Sequence, residues 1–233
     1  SWGMSELLKA SVVIADLALA FGTAGLDFNQ DPVQGIAEAL GSPERLDEVL
    51  LDRLLTKCSE HLSIFAAPGT LDRDYDLTAD SCDIVLDVVR QNVPYVTVDL
   101  PHVWTSWSKR ILVQADEIIV TASPDLASLR NTKNLVDLLK QVRQNDRPPH
   151  LVVNMQGVPK RPEIPIKDFE AALDLKACAV IEFDAETFGQ AANNGQMVEE
   201  MSAKAKSVQN FRDIAMTISG RREQKVEKKS ALA

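Results

Sequence analysis

Short unbroken apolar runs alternate along this chain with longer stretches whose apolar residues recur every three or four positions. Six runs read as strands: residues 11–16 (SVVIAD), 62–66 (LSIFA), 95–99 (YVTVD), 117–121 (EIIVT), 150–154 (HLVVN) and 177–181 (ACAVI). A strand that is apolar at successive positions is buried on both faces, which is the condition inside a parallel sheet. Helical spacing fills the intervals. It runs over 44–59 through Leu46, Val49, Leu50, Leu54 and Leu55, and over 79–91 through Ile84, Val85, Val88 and Val89. It returns over 125–142 through Leu126, Leu129, Leu135, Leu138 and Leu139, and over 208–218 through Phe211, Ile214 and Ile218. Residues 1–10 read as a helix entered midway. Strands alternating with helices predict an α/β fold, a doubly wound and mainly parallel sheet with helices on both faces.

No linker composition or repeat interrupts the pattern, so residues 1–220 are expected to form one domain. Residues 221–233 (RREQKVEKKSALA) are polar, basic and without an apolar stripe, and disorder is expected there. A chain of 233 residues suffices for such a domain. The net charge of −9 argues against a general nucleic-acid binder, which needs clustered Lys and Arg to neutralise phosphates. Cys58, Cys82 and Cys178 lie far apart with no CxxC pair, so neither a disulfide framework nor a zinc site is expected. A reducing cytoplasm fits such buried small hydrophobes. No apolar run approaches the length of a membrane-spanning helix.

In an open parallel sheet, ligands sit beyond the carboxyl ends of the strands, so the strand exits carry the candidate chemistry. Val96–Pro101 has the form of a Walker B strand, apolar residues and then an acid, Asp99, at the tip, and Asp99 suits a Mg²⁺ that keeps several waters. A turn-capping aspartate is the alternative. Asp16 ends a second strand, and two acids at neighbouring tips suit a shared cation; a cap is again the alternative. Asn154 carries both a donor and an acceptor for a purine edge, against a local Asx turn. The Asn193, Asn194, Gly195 triplet is first a turn signal, and secondly a loop able to close over a base. His61, His102 and His150 show no ligand spacing.

Five blocks in one order resemble a known family: residues 16–32 (DLALAFGTAGLDFNQDP), 98–104 (VDLPHVW), 125–139 (DLASLRNTKNLVDLL), 154–164 (NMQGVPKRPEI) and 188–197 (FGQAANNGQM). They are similar to the CpaE/TadZ proteins of Flp-type (tight-adherence) pilus assembly, within the MinD/ParA class of deviant P-loop ATPases. The resemblance implies a P-loop NTPase domain that binds ATP and Mg²⁺, forms a homodimer and works with other pilus assembly proteins. It implies a place in the cytoplasm, at the inner membrane face or cell pole, leaving peripheral membrane association open and predicting no specific nucleic-acid partner. Carried over by position, Asp16 and Asp99 lie near the Mg²⁺, Asn154 and Pro159 contact the adenine, and Asn193, Asn194 and Gly195 lie beside the base.

Two departures are expected to matter. The family's phosphate loop belongs about 20 residues before Asp16, upstream of this chain, so the domain is expected to be incomplete at its N-terminus. The family often has Asp-x-Asp where this chain has Asp16–Leu17–Ala18. Three missing hydrogen bonds to charged phosphates, at about 1.5–3 kcal/mol each, weaken binding by about 10³–10⁶-fold. Little or no hydrolysis is therefore expected from the chain alone. The alternatives are a non-catalytic localisation scaffold with the same fold, or a ParA-like partition ATPase.

Overall fold

The computed structural model describes residues 1–71 and 74–220. The tail at 221–233, expected to be disordered, lies outside the described residues. The chain divides into two compact units, Ser1–Leu112 with Gly189–Met201, and Val113–Phe188 with the residues from Ser202 on. No composition change in the sequence marks this division.

In the first unit, α1 (Trp2–Leu8) precedes β1 (Val12–Asp16), α2 (Ile36–Gly41), α3 (Glu48–Leu54), β2 (Thr56–Lys57), β3 (Leu62–Phe65), α4 (Ala79–Asn92) and β4 (Tyr95–Asp99). The helix α5 (Ser106–Gln114) follows. The strands pair in the order β2-β3-β1-β4. β1 runs parallel to both β3 and β4, while β2 pairs antiparallel with β3. Every residue of β1 is buried, as an apolar run between two helical layers requires. Its side chains meet Ile36 and Leu40 of α2, Val85 and Val89 of α4, and Trp107 and Ile111 of α5 in one apolar cluster. Each such aliphatic or aromatic group, fully buried, contributes about 1.5–3 kcal/mol.

The second unit holds β5 (Ile119–Ala122), α6 (Leu126–Val142), β6 (His150–Gln156), α7 (Ile166–Leu173) and β7 (Ala177–Glu182). Its strands form a parallel sheet in the order β5-β6-β7. Leu151, Val153, Phe169 and Leu173 make its core. The helix α10 (Lys206–Ile218) belongs here too, and its Phe211 meets Phe188 edge-on at 6.4 Å. Two more helices, α8 (Ala185–Asn194) and α9 (Val198–Met201), stand between β7 and α10 in sequence. Among the described residues no helix is long and apolar enough to cross a membrane.

The mainly parallel α/β expectation holds, and several details differ. The helix expected over 44–59 is shorter. Asp47 caps α3 by accepting the Leu50 N–H at 2.8 Å, and the chain then turns extended to lay β2 along the edge of β3. The buried stripe is also rotated in phase. Val49, Ile84 and Leu126 are exposed, while Leu51, Cys82, Leu86 and Val136 are buried. A helix with apolar residues on more than one face settles its phase on the layer it packs against. The Asn193, Asn194, Gly195 turn signal falls at a helix end: α8 runs through Asn194 and the turn stands at Gly195.

Candidate functional site

Asp16 and Asp99 sit opposite each other in the parallel register of β1 and β4, so the two adjacent strands end on acids at one rim. Asp16 is 1% exposed. Its Oδ1 accepts the Ala18 N–H at 3.0 Å and its Oδ2 accepts the Ala24 N–H at 3.4 Å. The capping role is therefore present, and each oxygen keeps a further lone pair. Burial pushes the Asp16 carboxyl above the usual range, against those two hydrogen bonds. Asp99 is raised by partial desolvation of its carboxyl, then by the charges of Asp16 and Asp27, although the residue as a whole is exposed.

Asp27 was not singled out in the sequence. It lies on a 3-10 turn, Leu26–Phe28, and its carboxyl is raised by burial and by Asp16. The signal that points to it is spatial: the loop after β1 folds back over the strand tip. Gly22 makes that return. A Cβ there would stand 2.5 and 2.7 Å from the two Asp16 carboxylate oxygens. Among the described residues no ion pair neutralises Asp16, Asp27 or Asp99.

Gly195 reaches the same turn. Its φ of +60° closes α8, with Gly195 N–H on Ala192 O at 3.2 Å and Gln196 N–H on Ala191 O at 3.0 Å. This is a Schellman cap, which explains why Asn-Asn-Gly ends a helix and forms no free loop. A Cβ on Gly195 would meet Asn29 N and Leu26 O at 2.8 Å, so only glycine lets the segment lie on the acid-bearing turn. Trp2 adds a tilted ring contact to Phe28, with centroids 6.4 Å apart, and an indole N–H bond to Glu199 at 3.3 Å. Asn193 and Asn194 are exposed beside Gly195.

Asn154 and Pro159 belong to the second unit. Asn154 stands inside β6 and not just beyond it, because the strand continues to Gln156 past an irregularity in the β6–β7 register. Its Oδ1 accepts the Met155 N–H at 2.8 Å, a contact to the next residue and not the Asx turn, which needs the N–H two residues on. Met155 and Lys160 hold positive φ without being glycine, at a cost of about 1–2 kcal/mol each. Pro159 is exposed between them.

A cation fits the first of these places better than any other group. Asp16, Asp27 and Asp99, with no basic partner among the described residues, repel one another, and their carboxyls are raised above the usual range. A hard divalent ion relieves both effects, and Mg²⁺ takes one or two carboxylates while keeping waters. Among the described residues no set of three His, Cys, Asp or Glu stands close enough to bind a metal ion directly.

No family model matches the chain. The septum site-determining protein MinD of Bacillus subtilis (strain 168) is 25% identical over 195 residues, 78% of this chain and 72% of that protein. Among solved structures, a ParA family ATPase from Chlorobium tepidum TLS matches with a TM-score of 0.81 at 20% identity, over 92% of this chain and 89% of that one. MinD from Pyrococcus horikoshii OT3, complexed with Mg-ADP, matches with a TM-score of 0.78 at 16% identity, over 97% and 89%. The chain therefore carries the mainly parallel α/β fold of the MinD/ParA ATPases.

Proposed function

We propose that this chain is the switch domain of a nucleotide-dependent localisation protein of the MinD/ParA type, in the CpaE/TadZ branch that positions Flp pilus machinery. The observation that supports this most is the acid pair at the tips of β1 and β4, in register and without a basic partner among the described residues. Asp16 and Asp99 hold the Mg²⁺ that accompanies ATP, and the ion offsets negative charge on the phosphates. Gly22 and the N–H groups of Ala18 and Ala24 keep the Asp16 carboxylate pointed into the rim. Asn154 and Pro159 meet the adenine. The working form is a homodimer that engages pilus assembly proteins at the cytoplasmic membrane face or pole.

The test uses the full-length protein. Titration with a fluorescent ATP analogue is expected to show saturable binding that tightens with Mg²⁺. Binding that is absent, or indifferent to Mg²⁺, rejects the reading. Ala18 favours a second reading, a scaffold without turnover, because a methyl group neither orients a water nor accepts a proton. Tight binding without phosphate release supports the scaffold, and steady release excludes it.

A further inference from the structure

The segment that follows Asn154 is pinned by two side chains with no part in the roles assigned above. Its backbone takes left-handed φ at Met155 (57°), Gly157 (83°) and Lys160 (63°). Arg161 N–H donates to Val158 O at 3.1 Å, closing a turn with Pro159 second and Lys160 third. A turn of this kind favours glycine at the third place, so lysine stays there only if something else holds the shape.

Glu163 supplies that hold. Its Oε1 accepts from Gly157 N at 2.9 Å, Val158 N at 3.3 Å and Arg161 Nη2 at 3.0 Å. Arg161 Nη2 also donates to Met155 O. The pair thus ties the start of the turn and the Met155 carbonyl before it to Arg161 at its end, and Arg161, ahead of the backbone N–H groups, keeps the Glu163 carboxyl below its usual range. The hold persists although Arg161 Nε is buried without a partner, a cost that an apolar side chain would avoid. Upstream, the bond from Met155 N–H fixes the plane of the Asn154 amide. That leaves Nδ2 and one lone pair of Oδ1 for a ligand.

We propose that Arg161 and Glu163 are positioning residues that set the base-dependent part of nucleotide affinity, by presenting the Asn154 amide and Pro159 to a purine ring in one fixed shape. This rests on the nucleotide reading above. Neither residue touches the phosphates in that reading, so the effect of removing them should divide by ligand. In the full-length protein, Glu163→Ala is expected to weaken ATP binding about tenfold while tripolyphosphate affinity changes less than about twofold. Glu163→Gln, which still accepts from the two backbone N–H groups, should recover most of the loss. Equal weakening of both ligands, or no weakening of ATP, overturns the proposal.

Amide hydrogen exchange without nucleotide separates the two claims. Gly157 and Val158 should be protected in the wild type and exchange freely in Glu163→Ala. Wild-type ATP binding with both amides unprotected rejects the clamp and leaves the nucleotide reading standing. Protected amides in a wild type that binds no ATP reject both the nucleotide reading and the positioning role.

Discussion

Gly22→Ala tests whether the rim is built around the Asp16 carboxylate. The added Cβ would fall 2.5 Å from Asp16 Oδ2, 2.7 Å from Asp16 Oδ1 and 2.6 Å from Ala67 Cβ. Optimal separations between non-bonded carbons are about 3.5–4.0 Å, so each contact is short by about an ångström. Two of the three meet a side chain that is 1% exposed and already bonded to the Ala18 and Ala24 N–H groups. Moving the loop away breaks one or both bonds; leaving it compresses the contacts. Overpacking costs about 1–3 kcal/mol, and a lost hydrogen bond to a charged group adds about 1.5–3 kcal/mol. Gly22→Ala is therefore expected to lower stability by about 2.5–6 kcal/mol in urea unfolding followed by circular dichroism. For a chain of this length, each kcal/mol lowers Tm by about 2–4 °C. Gly41→Ala is the control, since nothing lies within 4 Å of its Cβ and it ends α2. It should leave stability unchanged or raise it by about 0.5–1 kcal/mol. A Gly22→Ala variant within about 0.5 kcal/mol of wild type would refute the account, because surface changes of no consequence fall in that range.

Two further outcomes follow from the rim and the cysteines. Asp16, Asp27 and Asp99 all bind protons more tightly folded than unfolded, so their contribution to stability is full below the ordinary carboxyl value and is lost as pH rises through their raised values. Asp16→Asn removes part of that loss. It should melt higher than wild type at pH 7 in EDTA and gain less from added Mg²⁺, and a thermal scan in which both proteins respond alike sinks the cation site. Cys58 and Cys82 are pushed up to about 11 by burial. At pH 8 about one thiol in a thousand is ionised, so a disulfide reagent should label these two slowly until guanidinium unfolds the chain; fast native labelling at Cys82 contradicts the packing.

Six strand positions and the acids at two of their tips were legible in the sequence because a strand buried on both faces must be apolar throughout, and polarity returns where it leaves the sheet. The pairing of those acids was not. It depends on β1 and β4 lying side by side in a register that matches Asp16 with Asp99, although 82 positions separate them. The phase of α3, α4 and α6 was legible only in part: Leu54, Val85, Val89 and Leu139 are buried as expected, while Val49, Ile84 and Leu126 face out, since each helix carries apolar residues on two faces and the packing chose between them. Asp27 gained its place only when Gly22 and Gly195 let two distant segments close on one turn. Periodicity along the chain reports whether a residue faces water or core, a local property set within a few residues. Which groups share a rim is decided by contacts between distant segments, and those exist only once the backbone has folded.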